Sequence, residues 1–342
     1  MELKELQKLE GHKDSVLSLS WNPVTGVGQV PPVFSSCSDD ETVRIWQLNP
    51  STRSWDCKAV LEEVHNGPVH SCAWAANGTG LAAACYACIV IWDREGGGYC
   101  HSATICPEDE YEVNSACWST SGYFFASCGG DEVCLWVGTL GNDFEDLEEL
   151  EGHSKDVRMV QWHPTLDVLF SCSSDSTVKV WWAETEEDYW TCVQTLDESS
   201  NGHSSTVWAF SFNAEGDMMV TCSDDLTLKI WQADIKRMQS GHGYAPWNHI
   251  CTLSGYHDRP IFSVHWSREG IIASGAADGA IRLFVESKDG LMTGPSYQLL
   301  LKKDKAHDKD VNSVQWIPGE KRLLASASDD GTIKIWELTE ST

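Results

Sequence analysis

Apolar positions along this chain recur in short runs and not at helical spacing. Between residues 157 and 196, four runs of six to eight residues are separated by turn-forming Asp, Ser, Pro and Glu residues. Short β-branched and aromatic runs bounded by turn residues are typical of β-strands. The pattern predicts strand a at Val157–Trp162, strand b at Val168–Ser173, strand c at Thr177–Trp182 and strand d at Tyr189–Leu196.

The same four-run pattern occurs seven times, with 44 to 54 residues between equivalent positions. One aromatic column closes strand a, at Trp21, Trp74, Trp118, Trp162, Phe212, Trp266 and Trp316. A second column closes strand c, at Trp46, Trp92, Trp136, Trp181, Trp231, Phe284 and Trp336. A period of this length indicates a repeat architecture whose units stack side by side.

Three segments carry a recognisable motif, namely residues 36–46 (SCSDDETVRIW), 221–231 (TCSDDLTLKIW) and 326–336 (SASDDGTIKIW). Gly-His dipeptides open several of the repeats. With these motifs the whole chain resembles the WD40 β-propellers. The resemblance implies an all-β, seven-bladed propeller that forms a single domain over residues 1–342.

The resemblance also implies hydrogen-bonded tetrads of His, Ser or Thr, Asp and Trp that tie the turns of a blade together. Four repeats contain all four residues: His12, Ser36, Asp40 and Trp46; His153, Ser171, Asp175 and Trp181; His203, Thr221, Asp225 and Trp231; His307, Ser326, Asp330 and Trp336. Repeat two lacks the turn Asp, repeat three has Asp109 in place of His, and repeat six has Phe284 in place of Trp.

The two ends of the chain predict how the ring closes. Glu2–Leu9 precedes the first repeat, and only six residues follow Trp336. An unpaired outer edge invites aggregation, and propellers remove it by closure. We therefore expect the N-terminal strand to pair with the last three strands.

Charge and cysteine content narrow the function classes. The chain has 24 Lys and Arg against 51 Asp and Glu, a net charge of -27, which opposes nucleic-acid binding and docking on anionic membranes. We expect no secretory signal and no membrane span, because no apolar run is long enough. The 14 cysteines are then expected to be reduced thiols of a cytosolic or nuclear protein.

Neither the histidines nor the cysteines predict a metal centre. The histidines follow the repeat, and we expect one position of strand b to hold Cys37, Cys85, Cys128, Cys172 and Cys222. Cys85 and Cys88 form a lone C-x-x-C, whereas a zinc or cluster site takes four ligands. No phosphate-binding loop or catalytic motif is present either. We expect no metal, no cofactor and no enzymatic activity.

One surface is a candidate for partner binding. The position four residues before the first aromatic column opens strand a toward the top face, where peptides dock on this family. It holds Arg158, Trp208 and Phe262 in consecutive repeats, with Arg259 just before. We expect these four residues to bind a partner; the alternative is that the aromatic pair only packs between blades. Acidic runs at 107–112, 143–149 and 184–188 are interpreted as solvated rim segments, with a basic partner as the alternative.

A narrower resemblance rests on residues 250–266 (ICTLSGYHDRPIFSVHW), on 202–208 (GHSSTVW) and on two Trp-x-Cys strands at 55–57 and 190–192. These segments resemble the WD40 subunits of the cytosolic iron–sulfur protein assembly targeting complex. That family has an Arg in the tight turn of repeat three, where this chain has Gly129-Gly130-Asp131.

This narrower resemblance implies a non-enzymatic scaffold for the maturation of extramitochondrial iron–sulfur proteins. Its implied partners are a MIP18-family subunit, a HEAT-repeat scaffold and apo iron–sulfur client proteins. A WD40 subunit of another complex, such as a ubiquitin-ligase substrate receptor or a chromatin complex, is the alternative. An enzyme built on a propeller comes third.

Overall fold

The computed structural model describes residues 1–25, 30–107, 111–138, 144–183, 189–287, 295–319 and 322–340. These residues form 28 β-strands, one turn of 3-10 helix at Glu198–Ser200 and one α-helix at Ile235–Gln239. Within the described ranges, no helix has the length and apolar character needed to cross a membrane.

The strands are numbered in chain order. The first fourteen are β1 (Glu2–Leu9), β2 (Val16–Trp21), β3 (Val33–Ser38), β4 (Val43–Leu48), β5 (Trp55–Leu61), β6 (Val69–Trp74), β7 (Gly80–Cys85), β8 (Cys88–Glu95), β9 (Gly98–Ile105), β10 (Val113–Trp118), β11 (Phe124–Gly129), β12 (Glu132–Gly138), β13 (Phe144–Leu150) and β14 (Val157–Trp162). The others are β15 (Leu169–Ser173), β16 (Val178–Trp182), β17 (Thr191–Leu196), β18 (Val207–Phe212), β19 (Met218–Ser223), β20 (Leu228–Gln232), β21 (Asn248–Leu253), β22 (Ile261–Trp266), β23 (Ile272–Ala276), β24 (Ile281–Glu286), β25 (Tyr297–Lys303), β26 (Val311–Trp316), β27 (Leu323–Ser328) and β28 (Ile333–Thr339).

The strands form seven antiparallel four-stranded sheets, which are the blades of a propeller. Blades one to six use consecutive strands, from β2–β5 through β22–β25, and blade seven joins β26–β28 to β1. Strand β1 pairs with β28 in a register that places Leu3 opposite Leu338 and Leu9 opposite Ile333. The predicted seven-bladed fold and its closure by the N-terminal strand are confirmed.

The hydrophobic core lies between blades, at interfaces that we call seams. Seven apolar clusters are present, one at each seam. Strand b of each blade is buried along nearly its whole length, whereas outer strands such as β13 are mostly exposed. Burying one large apolar side chain contributes about 1.5–3 kcal/mol, so every blade depends on both of its neighbours.

The structure corrects two details of the sequence interpretation. In blade four, strands b and c begin at Leu169 and Val178, one residue later than predicted, and strand d begins at Thr191, two residues later. Cys85 lies opposite Val69, one residue beyond the place of Cys37, which lies opposite Ser18. The β7–β8 turn is only two residues long, so strand β7 continues for one more pair.

Candidate partner-binding site at the channel mouth

Strand a is the innermost strand of each blade, and it has a β-bulge at its second residue. The register with strand b shifts there in all seven blades, between Val157 and Met159 in blade four for example. Bulges re-aim a side chain away from the ordinary alternation of a strand. The seven bulge residues line one cavity of about 610 Å³ at the central channel: Leu17, His70, Asn114, Arg158, Trp208, Phe262 and Asn312.

Three of the four predicted binding residues are in contact at this mouth. The Arg158 guanidinium carbon lies 4.9 Å from the centre of the Trp208 ring. The Trp208 and Phe262 rings meet edge to face, with their centres 5.1 Å apart. A guanidinium over an indole contributes about 0.5–2 kcal/mol, depending on how dry the site is. Blades four, five and six therefore present one continuous cation–aromatic stack.

Hydrogen bonds from the neighbouring turns orient this stack. Arg158 donates from Nε to Ser174 Oγ at 2.8 Å and from a terminal nitrogen to Asp156 Oδ2 at 3.0 Å. Trp208 donates from Nε1 to Asp224 Oδ1. The Arg158 side chain is still 27% exposed, so a ligand can reach its guanidinium.

Arg259 has a different setting from the other three. It is exposed in the turn before β22. Burial and the nearby Asp329 raise the pKa of Asp310, and the Arg259 guanidinium lowers that pKa in opposition. Arg259 is therefore near enough to Asp310 of blade seven for the two charges to interact, on the same face of the propeller as the stack.

Trp208 also takes part in packing between blades. It packs against the apolar cluster of the seam between blades five and six, and the rings of Trp208 and Phe262 are only partly buried. One side of Trp208 thus supports the seam, while Trp208 and Phe262 also line the channel.

Sequence reasoning missed the opposite wall of the mouth. Asp310 and Asp329 line it, and Asn312 Nδ2 donates to Asp329 Oδ1 at 2.6 Å. His70 lies on this side as well; burial lowers its pKa, while Glu112 and Asp39 act to raise it. Comparing the bulge position across all seven repeats, and not only in three, would have found His70 and Asn312.

The tetrads form a chain of hydrogen bonds in four blades. In blade five, Trp231 Nε1 donates to Thr221 Oγ1 at 3.1 Å, Thr221 Oγ1 lies 2.7 Å from His203 Nε2, and His203 Nδ1 lies 2.8 Å from Asp225 Oδ2. The same three links join the tetrads of blades one, four and seven.

The other blades retain parts of the chain. In blade six His257 contacts Ser274 and Asp278, but Phe284 has no donor to offer. In blade two Trp92 Nε1 donates directly to His65 Nε2 at 3.3 Å, because no Ser or Thr stands between them. In blade three Trp136 donates to Ser127 at 2.9 Å, and Asp109 lies outside the described residues.

In blade five, burial and hydrogen bonding determine the charge state of the tetrad. Burial alone would raise the pKa of Asp225, but hydrogen bonds from His203 and Thr227 hold that pKa well below its ordinary value. Burial lowers the pKa of His203. The aspartate is therefore charged and the histidine neutral, so His203 donates from Nδ1 and accepts at Nε2. This arrangement is structural, since each polar side-chain atom of the tetrad already has a hydrogen-bond partner.

Two clusters contain thiols that could act as metal ligands. Cys85 and Cys88 have sulfur atoms 3.2 Å apart, and Cys88 donates to Asn66 Oδ1. Among the described residues, one trio of potential ligand atoms lies within 4.8 Å, from Glu132, Cys134 and Glu149. The Cys134 sulfur is already in contact with the Tyr111 hydroxyl at 3.0 Å. Neither cluster provides the four ligands of a structural zinc site.

Comparison with known proteins agrees with the geometry. The WD40 family (WD domain, G-beta repeat) matches residues 3–47, 55–93, 101–136, 144–181, 190–232, 247–284 and 298–337. Protein CIA1 of Arabidopsis thaliana is 59% identical over 341 residues, which cover 99% of this chain and 97% of that protein. The probable cytosolic iron-sulfur protein assembly protein Ciao1 of Culex quinquefasciatus is 35% identical, with 98% of each chain covered. The chain therefore belongs to the WD40-repeat family, in the branch that contains Protein CIA1 and the Ciao1 proteins.

Proposed function

We propose that this protein is a non-enzymatic adaptor of cytosolic iron–sulfur protein assembly, which works in the cytosol and in the nucleus. It recognises apoproteins and assembly partners and holds no cluster itself. The names of its relatives support the pathway, and the WD40 fold supports a role in protein interaction. Its proposed partners are a MIP18-family subunit, a HEAT-repeat scaffold and apo iron–sulfur proteins.

The observation that carries this proposal is the stack of Arg158, Trp208 and Phe262 at the channel mouth. A guanidinium beside aromatic rings suits a carboxylate together with an aromatic side chain, a combination found at the C-terminal tail of a protein. Isolated exposed ion pairs contribute only about 0–1 kcal/mol, so the neighbouring rings are what make Arg158 a good anchor. We assign the binding of client or partner tails to this stack, with Arg259 at its edge.

The test is the affinity of a synthetic client-tail peptide with a terminal aromatic residue, measured by calorimetry. Arg158→Glu and Trp208→Ala are each expected to weaken binding at least tenfold, which is about 1.4 kcal/mol. Arg53→Glu is the matched control, because Arg53 is an exposed arginine in the turn between β4 and β5. Circular dichroism checks folding, which Arg158→Glu leaves intact because Arg158 belongs to no tetrad. Unchanged affinity in both folded variants would refute the assignment.

A further inference from the structure

At two seams, the side chain of a glutamine forms two hydrogen bonds with the backbone of a tryptophan in the next blade. Gln7 of blade seven accepts from the Trp55 N–H at 2.8 Å and donates to the Trp55 carbonyl at 3.0 Å. Gln194 of blade four does the same to Trp247, at 2.8 Å in both directions. An amide can make both bonds because it carries a donor and an acceptor. We call this arrangement the seam clamp.

The seam between blades three and four has the same geometry with a different chemistry. Glu148 lies opposite Leu135 of strand c, as Gln194 lies opposite Val180. Glu148 Oε2 accepts from the Trp190 N–H at 3.1 Å. A carboxylate has no hydrogen to donate, so Glu148 makes only the accepting half of the clamp. Trp55 and Trp247 are only 4% and 2% exposed, whereas Trp190 is partly exposed.

An aromatic surface lies at this same seam, at the end of the propeller opposite the mouth. Its most accessible members are Tyr123, which is 57% exposed, and Tyr189, which is 83% exposed. Tyr123 meets Phe124 edge to face at 4.9 Å, and Phe124 meets Trp190 at 5.8 Å. Exposed aromatic clusters of this kind mark interaction sites. We call these four residues the seam surface.

Carboxylates border the seam surface along the outer strand of blade three. On β13 (FEDLEEL), Phe144 and Glu149 lie on the side of blade two, where Phe144 packs between blades two and three and Glu149 lies near Cys134. Because side chains alternate along a strand, Glu145 and Glu148 lie on the side of the seam surface. Acidic side chains that flank aromatic rings favour a partner with the opposite charge. A glutamine at position 148 would complete the clamp, as it does at two other seams, so the glutamate adds charge where an amide would add stability.

We propose that the seam surface binds a cationic, amphipathic segment of a partner protein. Lysine or arginine side chains of that segment pair with Glu145 and Glu148, and its apolar side chains cover Tyr123 and Tyr189. The segment binds at the opposite end of the propeller from Arg158. An adaptor can therefore hold this partner while the channel mouth is occupied.

The decisive variant is Glu148→Gln, because the clamp and the binding site predict opposite effects. Completing the clamp should leave the melting temperature unchanged or raise it. Removing the charge should weaken binding of a synthetic Lys- and Leu-rich amphipathic peptide about fivefold, as expected for a partly exposed ion pair. Glu95→Gln is the control, since Glu95 is an exposed carboxylate at the end of β8.

A second variant tests the rings, and the peptide set tests specificity. The double change Tyr123→Ser with Tyr189→Ser should weaken peptide binding at least tenfold, while Tyr86→Ser, at a comparably exposed tyrosine of blade two, should not. Arg158→Glu should leave this affinity unchanged, which separates this proposal from the proposed function. Equal binding of a scrambled peptide, full affinity in both seam variants, or a lower melting temperature in Glu148→Gln would each overturn the proposal.

Discussion

At the scale of single residues, local backbone geometry decides which side chains reach a partner and which hold the fold. The bulge at the start of each inner strand places Arg158, Trp208 and Phe262 at the channel mouth. The tetrads have a structural role. In blade five, every side-chain nitrogen and oxygen of His203 and Asp225 is hydrogen-bonded within the blade. The same residue types thus serve different purposes according to their place in the repeat.

Protonation of His265 makes the free energy of unfolding depend on pH. His265 Nδ1 accepts a hydrogen bond from the Trp316 backbone N–H at 3.1 Å, which links blades six and seven. Burial lowers the pKa of His265 to about 4. Because this pKa lies below its unfolded value of about 6.5, the unfolded state binds the proton first as the pH falls. The contribution to stability is therefore complete above pH 6.5 and declines toward pH 4.

Replacing His265 with glutamine should reduce this pH dependence. Gln161 and Gln315 already occupy the equivalent position in blades four and seven, so the amide fits the site and still offers an acceptor. Urea unfolding between pH 7 and pH 4 should show a shallower slope in His265→Gln, by up to about 1.4 kcal/mol per pH unit. His101→Gln, at an exposed histidine of β9, is the control. Parallel profiles for the wild type and His265→Gln would contradict this account.

At the scale of elements, the sequence predicts the strands well but not the hydrogen bonds that join one blade to the next. The aromatic columns fix strands a and c, because a buried indole recurs at the same place in nearly every blade. The seam clamp cannot be read from the sequence, because its partners are 48 residues apart in one case and 53 in the other. The sequence also predicts the wrong register for Cys85. The short turn after β7 adds one residue pair to that strand, and the repeat pattern does not show this.

The clamp between blades four and five predicts an asymmetric cost for a small change. Gln194→Glu keeps the acceptor for the Trp247 N–H and the Tyr244 hydroxyl but loses the donor to the Trp247 carbonyl. A buried carbonyl left unpaired costs about 1–3 kcal/mol, so the free energy of unfolding should fall by that amount in urea titrations. Gln298→Glu, on the exposed face of β25, should change it by less. Equal stability of the two variants would rule out the clamp as a stabilising element.

At the scale of the whole molecule, closure and charge set the behaviour of the ring. Strand β1 gives blade seven its outer strand and buries Leu3 and Leu9. The chain has a net charge of -27. Its two candidate binding surfaces are the stack of Arg158, Trp208 and Phe262 at the channel mouth and the seam surface at the other end. Two surfaces of different chemistry at opposite ends suit a protein that brings two partners together.

Deleting residues 2–9 should open the ring. The loss of two buried leucines alone removes about 3–6 kcal/mol, and the exposed edge of β28 becomes a site for intermolecular pairing. We expect a lower melting temperature and aggregation in gel filtration. Leu6→Ser, at the exposed and unpaired residue of the β1 bulge, is the control that keeps the strand. A truncated protein that melts like the full chain would show that β1 does not close the propeller.

The proposed function makes this propeller an adaptor of iron–sulfur protein assembly that binds proteins at its channel mouth. The most direct test is affinity purification from cells with identification of the bound proteins, comparing the wild type, Arg158→Glu and the Arg53→Glu control. We expect a MIP18-family subunit, a HEAT-repeat scaffold and iron–sulfur proteins to be recovered with the wild type and the control, and the iron–sulfur proteins to be lost with Arg158→Glu. Recovery of ubiquitin-ligase or chromatin subunits in their place, or identical protein sets from all three, would contradict it.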